Sequence, residues 1–129
     1  IIFVAATPTS QFELDVVGER IAEELEIALA RGVSVQTLLH PTVVETLPET
    51  VGESYRQYLQ NERDFQVRTS DEVTSTFTLL DRTEVCIEVP HPLNPTEAFA
   101  LINLKDSEFA QNVESEFQPR WNESEELLL

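Results

Sequence analysis

Cations, cysteine and glycine are the scarce materials of this 129-residue chain, and each scarcity removes a class of function. Eight Lys and Arg stand against 24 Asp and Glu, a formal net charge of -16, and Lys105 is the only lysine. Binding to nucleic acid depends on Lys and Arg that neutralise phosphates and release counterions, so this segment is not expected to grip DNA directly. Cys86 is the single cysteine; no internal disulfide can form, and a reducing, cytoplasmic compartment follows. Three glycines leave neither a P-loop nor a G-x-G-x-x-G turn, which removes the nucleotide folds of those types. The two histidines, His40 and His91, each adjoin a proline and have no second His or Cys at ligand spacing, so neither a metal nor another cofactor is expected. Long apolar runs are missing too. The opening "IIFVAA" breaks at Pro8, too short for a signal peptide or a spanning helix, and no membrane partner is expected. It also begins in mid-strand without an initiator Met, which reads as a fragment of a longer protein.

What is present suffices for one compact unit. Apolar residues make up 41% of the chain, enough for a single core at a length too short for two ordinary domains. Glu residues interleave with the apolar stripes rather than replacing them, which argues against disorder and for a surface adapted to molar salt. High ionic strength shortens the Debye length and screens the self-repulsion of such a surface.

Along the chain, Ile1 to Ala6 lacks alternation, as in a central strand covered on both faces. Ser10 and Glu13 have capping-box spacing ahead of a helix striped by Val17, Ile21, Leu25 and Leu29, with Gly32 as its C-cap. Val33 to Leu39 gives a second strand, parallel to the first by the right-handed crossover rule. His40-Pro41 ends it; a polar connection to Glu49 and a second helix to about Asn61 follow, then a short strand through Phe65, Val67 and Thr69. Thr76 to Leu80 and Glu84 to Val89 flank the turn "DRT" as an antiparallel hairpin. The prolines of "PHPLNP" force a loop, and Ala98 to Leu104 returns as a strand. Asp106 caps the last helix, whose Phe109, Val113, Phe117 and Trp121 recur at i+4; Pro119 is expected to kink it or to end its first half. The order is β-α-β-α-β-β-β-β-α, an α/β fold with a mixed sheet and helices on both faces.

The run "TSTFTLLDRTEVCIEVPHPLNPTEAFALINLKDSEFAQNVESEFQPRW" resembles the end of the phospholipase-D-like half domain in the C-terminal part of TrmB-type archaeal transcriptional regulators, here in a haloarchaeal form. The loop "VPHPLNP" and the segment "LINLKDSEFAQNVESEFQPRW" carry most of the likeness. Active members of that superfamily carry H-x-K-x-x-x-x-D. Thr74 and Thr76 stand where His and Lys would be, and only Asp81 matches. Threonine supplies neither imidazole nucleophilicity nor a fixed cation, so the resemblance implies a degenerate, non-catalytic site. It further implies a regulatory domain that senses a small-molecule effector or dimerises, with DNA read by a winged helix-turn-helix outside this sequence.

Other candidates come from position. Thr7, Thr9 and Ser10 line the turn after the first strand, where an anion or polyol could sit, although Ser10 has a plainer use as a helix cap. His40 ends the second strand, at the edge where open α/β sheets bind ligands, against the plainer reading of a surface loop residue. Cys86, within "VCIEV", reads as a small core hydrophobe rather than a reactive thiol. The stripe ending in Phe117 and Trp121 reads first as core; together with Leu127 and Leu128 of the tail it also offers anchors for an interface, in a homodimer or against a preceding domain. A purely structural dimerisation module and a residual phosphodiesterase are the alternative functions.

Overall fold

The fold is described from a computed structural model of the chain, over residues 1–6, 26–46, 64–94 and 98–126. Seven strands form one mixed sheet: β1 (Ile2–Ala5), β2 (Val35–Leu39), β3 (Phe65–Thr69), β4 (Thr76–Leu80), β5 (Glu84–Pro90), β6 (Ala98–Leu104) and β7 (Glu125–Glu126), in the order β6-β5-β4-β1-β2-β3-β7. Residues 26–30 are helical (α1), as are Pro41–Thr46 (α2) and Ser107–Glu123 (α3). β1, β2 and β3 run parallel, while β4 turns antiparallel to β1 and starts the meander β4-β5-β6. The unbroken apolar run of β1 is thus central, between β2 and β4.

Alternation along these strands makes two cores. Ile2, Val4, Leu38, Leu79 and Val85 face one way and pack with Ala110, Phe117 and Trp121 of α3. Ala5, Val35, Leu39, Phe65 and Val67 face the other way and meet Leu29 of α1 and Val43 of α2. Helices therefore cover both faces, and because successive side chains point to opposite faces a strand covered on both is apolar throughout, as β1 is.

The helix ends follow local chemistry. At the end of α1, Gly32 adopts φ +80°, with Val33 N–H on Ala28 C=O at 3.1 Å and Gly32 N–H on Leu29 C=O at 3.0 Å, the two bonds of a Schellman cap. Asp106 caps α3, its Oδ1 accepting from Phe109 N–H at 3.1 Å. The β4–β5 hairpin turns through Asp81 and Arg82, both left-handed at φ 50° and 59°, which supplies the twist a tight hairpin needs.

Three expectations about the helices are revised. The connection after His40 is not wholly irregular: α2 begins at Pro41, a residue suited to the first helical position because its missing N–H would be unbonded there anyway. Pro119 does not end α3, which continues to Glu123. Pro119 and Ser115 are exposed, so the carbonyl that loses its donor can turn to water. The core-facing stripe of α3 is buried Ala110, Phe117 and Trp121 with partly buried Val113, and Phe109 is 36% exposed at its margin. At 3.6 residues per turn an i+4 row drifts about 40° per step, so twelve residues carry it about 120° off the core, whereas the eleven from Ala110 to Trp121 drift only about 20°.

Phe117 and Trp121 are 3% and 5% exposed, their rings 5.8 Å apart inside the first core. That burial corrects their reading as interface anchors, since the domain itself satisfies both rings. Leu127 and Leu128 lie outside the described residues, as do Thr7, Thr9, Ser10 and the expected second helix.

Candidate functional site

The topology gathers polar groups on one rim of the sheet. β1, β2 and β3 end there at Ala5, Leu39 and Thr69; β4 begins there at Thr76, and β5 ends beside it. Two hydrogen bonds fasten its centre around the end of β1. His40 N–H donates to Ala5 C=O at 2.9 Å, and Ala6 N–H donates to Thr76 Oγ1 at 3.0 Å. Thr76 thus satisfies the amide of a residue only 8% exposed. Thr74 is exposed on the approach to β4.

His40 caps α2 through its ring. Nδ1 accepts from Thr42 N–H at 3.2 Å and lies 2.8 Å from Thr42 Oγ1, so the ring proton belongs on Nε2. His91, beyond the end of β5, accepts on Nδ1 from Leu93 N–H at 3.1 Å and Asn94 N–H at 3.2 Å, and stands edge-on to Phe99 at 5.8 Å. Both histidines order their own loops.

Asp81 is absent from this group. It follows the far end of β4, so the whole strand separates it from Thr76, about 16 Å at 3.3 Å per residue. Its left-handed backbone accounts for an Asp there. The topology brings Thr74, Thr76 and His40 to one rim and leaves Asp81 at the other. Among the described residues, no three His, Cys, Asp or Glu side chains converge as metal ligands.

Two charged residues matter here that sequence reading passed over. Glu88 is 7% exposed on β5, directly opposite Thr76. Its signal was a carboxylate inside the apolar alternation of β5. Arg68, on β3, donates from one guanidinium nitrogen to Trp121 C=O at 3.1 Å and to Ser124 C=O at 3.5 Å, and its guanidinium carbon lies 5.0 Å from the centre of the Trp121 ring. Positive charge at the carbonyl end of α3 opposes the helix dipole favourably. In the register Arg68 also faces Glu126 of β7, with the ion pair at 4.0 Å. Arg82 Nε pairs with Glu114 at 2.7 Å and ties the hairpin turn to α3. Cys86 is half-buried between Thr78 and Asn103 in the strand register.

A family model described as a domain of unknown function (DUF7436) matches residues 1–127. No curated protein matches the sequence. Among solved structures the chain is similar to one described as "Structure of TrmBL2, an archaeal chromatin protein, shows a novel mode of DNA binding", with a TM-score of 0.69 at 17% identity. The likeness covers 98% of this chain and 45% of that one, so the chain spans less than half the length of TrmBL2. At that identity the two share a fold. Among the described residues, no helix is long and apolar enough to cross a membrane.

Proposed function

We propose that this chain, which belongs to the DUF7436 family of domains of unknown function, is the regulatory domain of a TrmB-like transcription regulator adapted to high salt. The observation that carries this reading is the likeness of nearly the whole chain to less than half of a TrmB-like protein. TrmBL2 is a DNA-binding chromatin protein by its description; a domain of net charge -16 is ill suited to that task itself and leaves it to a winged helix-turn-helix elsewhere in the longer protein. The fold is read as a phospholipase-D-like half domain that has lost its chemistry. Thr74 and Thr76 offer hydroxyls in place of a nucleophile and a cation, and Thr76 is occupied in holding Ala6.

The rim that carries Thr74, Thr76 and His40 is the proposed effector site, and Thr7, Thr9 and Ser10, which follow β1 in the sequence, are proposed as further ligand contacts. Its side chains are hydroxyls and an imidazole, which suits a neutral hydroxylated ligand. The ligand would bias how two such domains pair, and through that the spacing of two DNA-reading helices, in a cytoplasmic regulator. A dimerisation module without an effector is the second reading, favoured by the exposed apolar edge at β6.

Thermal-shift measurements in concentrated KCl against sugars, nucleotides and phosphorylated metabolites test the sensor. A rise in melting temperature with a sugar or another neutral polyol, abolished by Thr74→Ala, supports it. Silence with every ligand together with a stable dimer selects the structural module, and turnover of a bis-phosphodiester dye overturns the non-catalytic reading.

A further inference from the structure

We propose that β6 is the contact between two copies of this chain, pairing antiparallel with its own counterpart about a two-fold axis at Leu101. The proposal deepens the pairing part of the proposed function and rests on it. The two edges of the sheet differ sharply. At one, β7 is two residues long and both are Glu, a short and charged edge that deters further strand addition. At the other, β6 runs for seven residues, "AFALINL", without a charge.

Exposure concentrates on that second edge. Seven large apolar side chains are exposed among the described residues, and four of them are Phe99 at 64%, Leu101 at 58%, Ile102 at 47% and Leu104 at 37%. Leu93, at 90%, precedes the strand and Phe109 follows it, so only Ile27 lies elsewhere. Successive β6 residues point to opposite faces of the sheet, so the edge is apolar on both. Its inner side is paired with β5 from Val85–Leu104 to Pro90–Ala98, and among the described residues no strand pairs with the backbone N–H and C=O groups of its outer side.

A second copy is the occupant that fits. A two-fold at Leu101 sets Leu101 against Leu101, Ala100 against Ile102 and Phe99 against Asn103, large beside small, with no like charges facing each other. Elsewhere two chains of net charge -16 repel, and the charge-free strand is where they can meet. Lys105, the only lysine, adjoins the strand and falls at both ends of the paired ribbon, where it moderates the acidity.

Light scattering after size exclusion in concentrated KCl is expected to give a dimer, and Leu101→Lys, which opposes two ammonium groups at the axis, a monomer of unchanged circular dichroism. A dimer that survives Leu101→Lys overturns the β6 contact and leaves the pairing itself standing. A monomeric parent chain overturns both, and an open series of larger oligomers overturns the closed two-fold. Cross-linking in a Cys86→Ser background tests the register without relying on a charged variant. Leu101→Cys is expected to oxidise to a covalent dimer, since paired Cα atoms about 4.5–5.5 Å apart are within disulfide reach. Leu104→Cys is not, because its copies would lie six residues apart along the ribbon, about 20 Å. The reverse pattern sinks the proposed axis.

Discussion

Thr76 shows how one hydroxyl can fasten the end of a neighbouring strand. Its oxygen is the acceptor for Ala6 N–H, and Thr76→Val keeps the shape while removing it. A buried amide left without a partner costs about 1–3 kcal/mol, so urea denaturation of Thr76→Val is expected to show a loss of that size and Thr76→Ser to restore most of it. Equal stability of all three proteins would mean that another group serves Ala6. Arg68 is the second such residue, with one guanidinium shared between the last carbonyls of α3 and the Trp121 ring. Arg68→Ala is expected to cost on the order of 2 kcal/mol, and Arg68→Lys to recover only part of it because an ammonium lacks the planar fork. Neither role was legible in the sequence. Thr76 lies 70 positions from Ala6 and Arg68 lies 53 from Trp121, and residue type alone does not choose between partners so far apart.

At the scale of elements, the parts written in short-range chemistry were legible and those decided by packing were not. The sheet strands β1 to β6 follow from alternation or from unbroken apolar runs, and the caps at Gly32 and Asp106 from residues suited to those backbone positions. β7 carried no signal, because two glutamates have neither alternation nor apolar character; Arg68 and the end of α3 bring them to β3. α2 was hidden because a six-residue helix depends on tertiary support, although Pro41 marked its start. On the candidate rim, position suggested His40 and the resemblance suggested Thr74 and Thr76, whereas Glu88 needed the register that sets it across from Thr76. The Schellman cap makes a clean prediction at this scale. Nothing lies within 4 Å of a Cβ added at Gly32, so Gly32→Ala tests the left-handed backbone alone. A loss of about 1–2 kcal/mol is expected in thermal or urea unfolding, and no loss would mean that the turn relaxes to another conformation.

For the whole molecule the governing quantity is a net charge of -16 folded around two packed cores. Only Arg68, Arg82 and Arg120 form carboxylate pairs among the described residues, and the latter two are themselves well exposed, so internal pairing relieves little of the repulsion. Relief has to come from the solvent. The Debye length is about 10 Å at 0.1 M salt and about 3 Å at 1 M, a range over which neighbouring surface carboxylates pass from interacting to screened. Stability is therefore expected to climb steeply between dilute buffer and molar KCl. Dimerisation through a charge-free edge should strengthen in parallel, because the same acidic shells oppose both compaction and approach. KCl is the discriminating salt, since sulfate or phosphate strengthens apolar burial in any protein. A melting temperature that rises by tens of degrees in KCl and by little in sucrose of equal osmolarity would identify charge screening as the cause. A flat profile in KCl would instead require the unfolded chain to carry as much repulsion as the folded one, and the acidic surface would then lose its standing as an adaptation to salt.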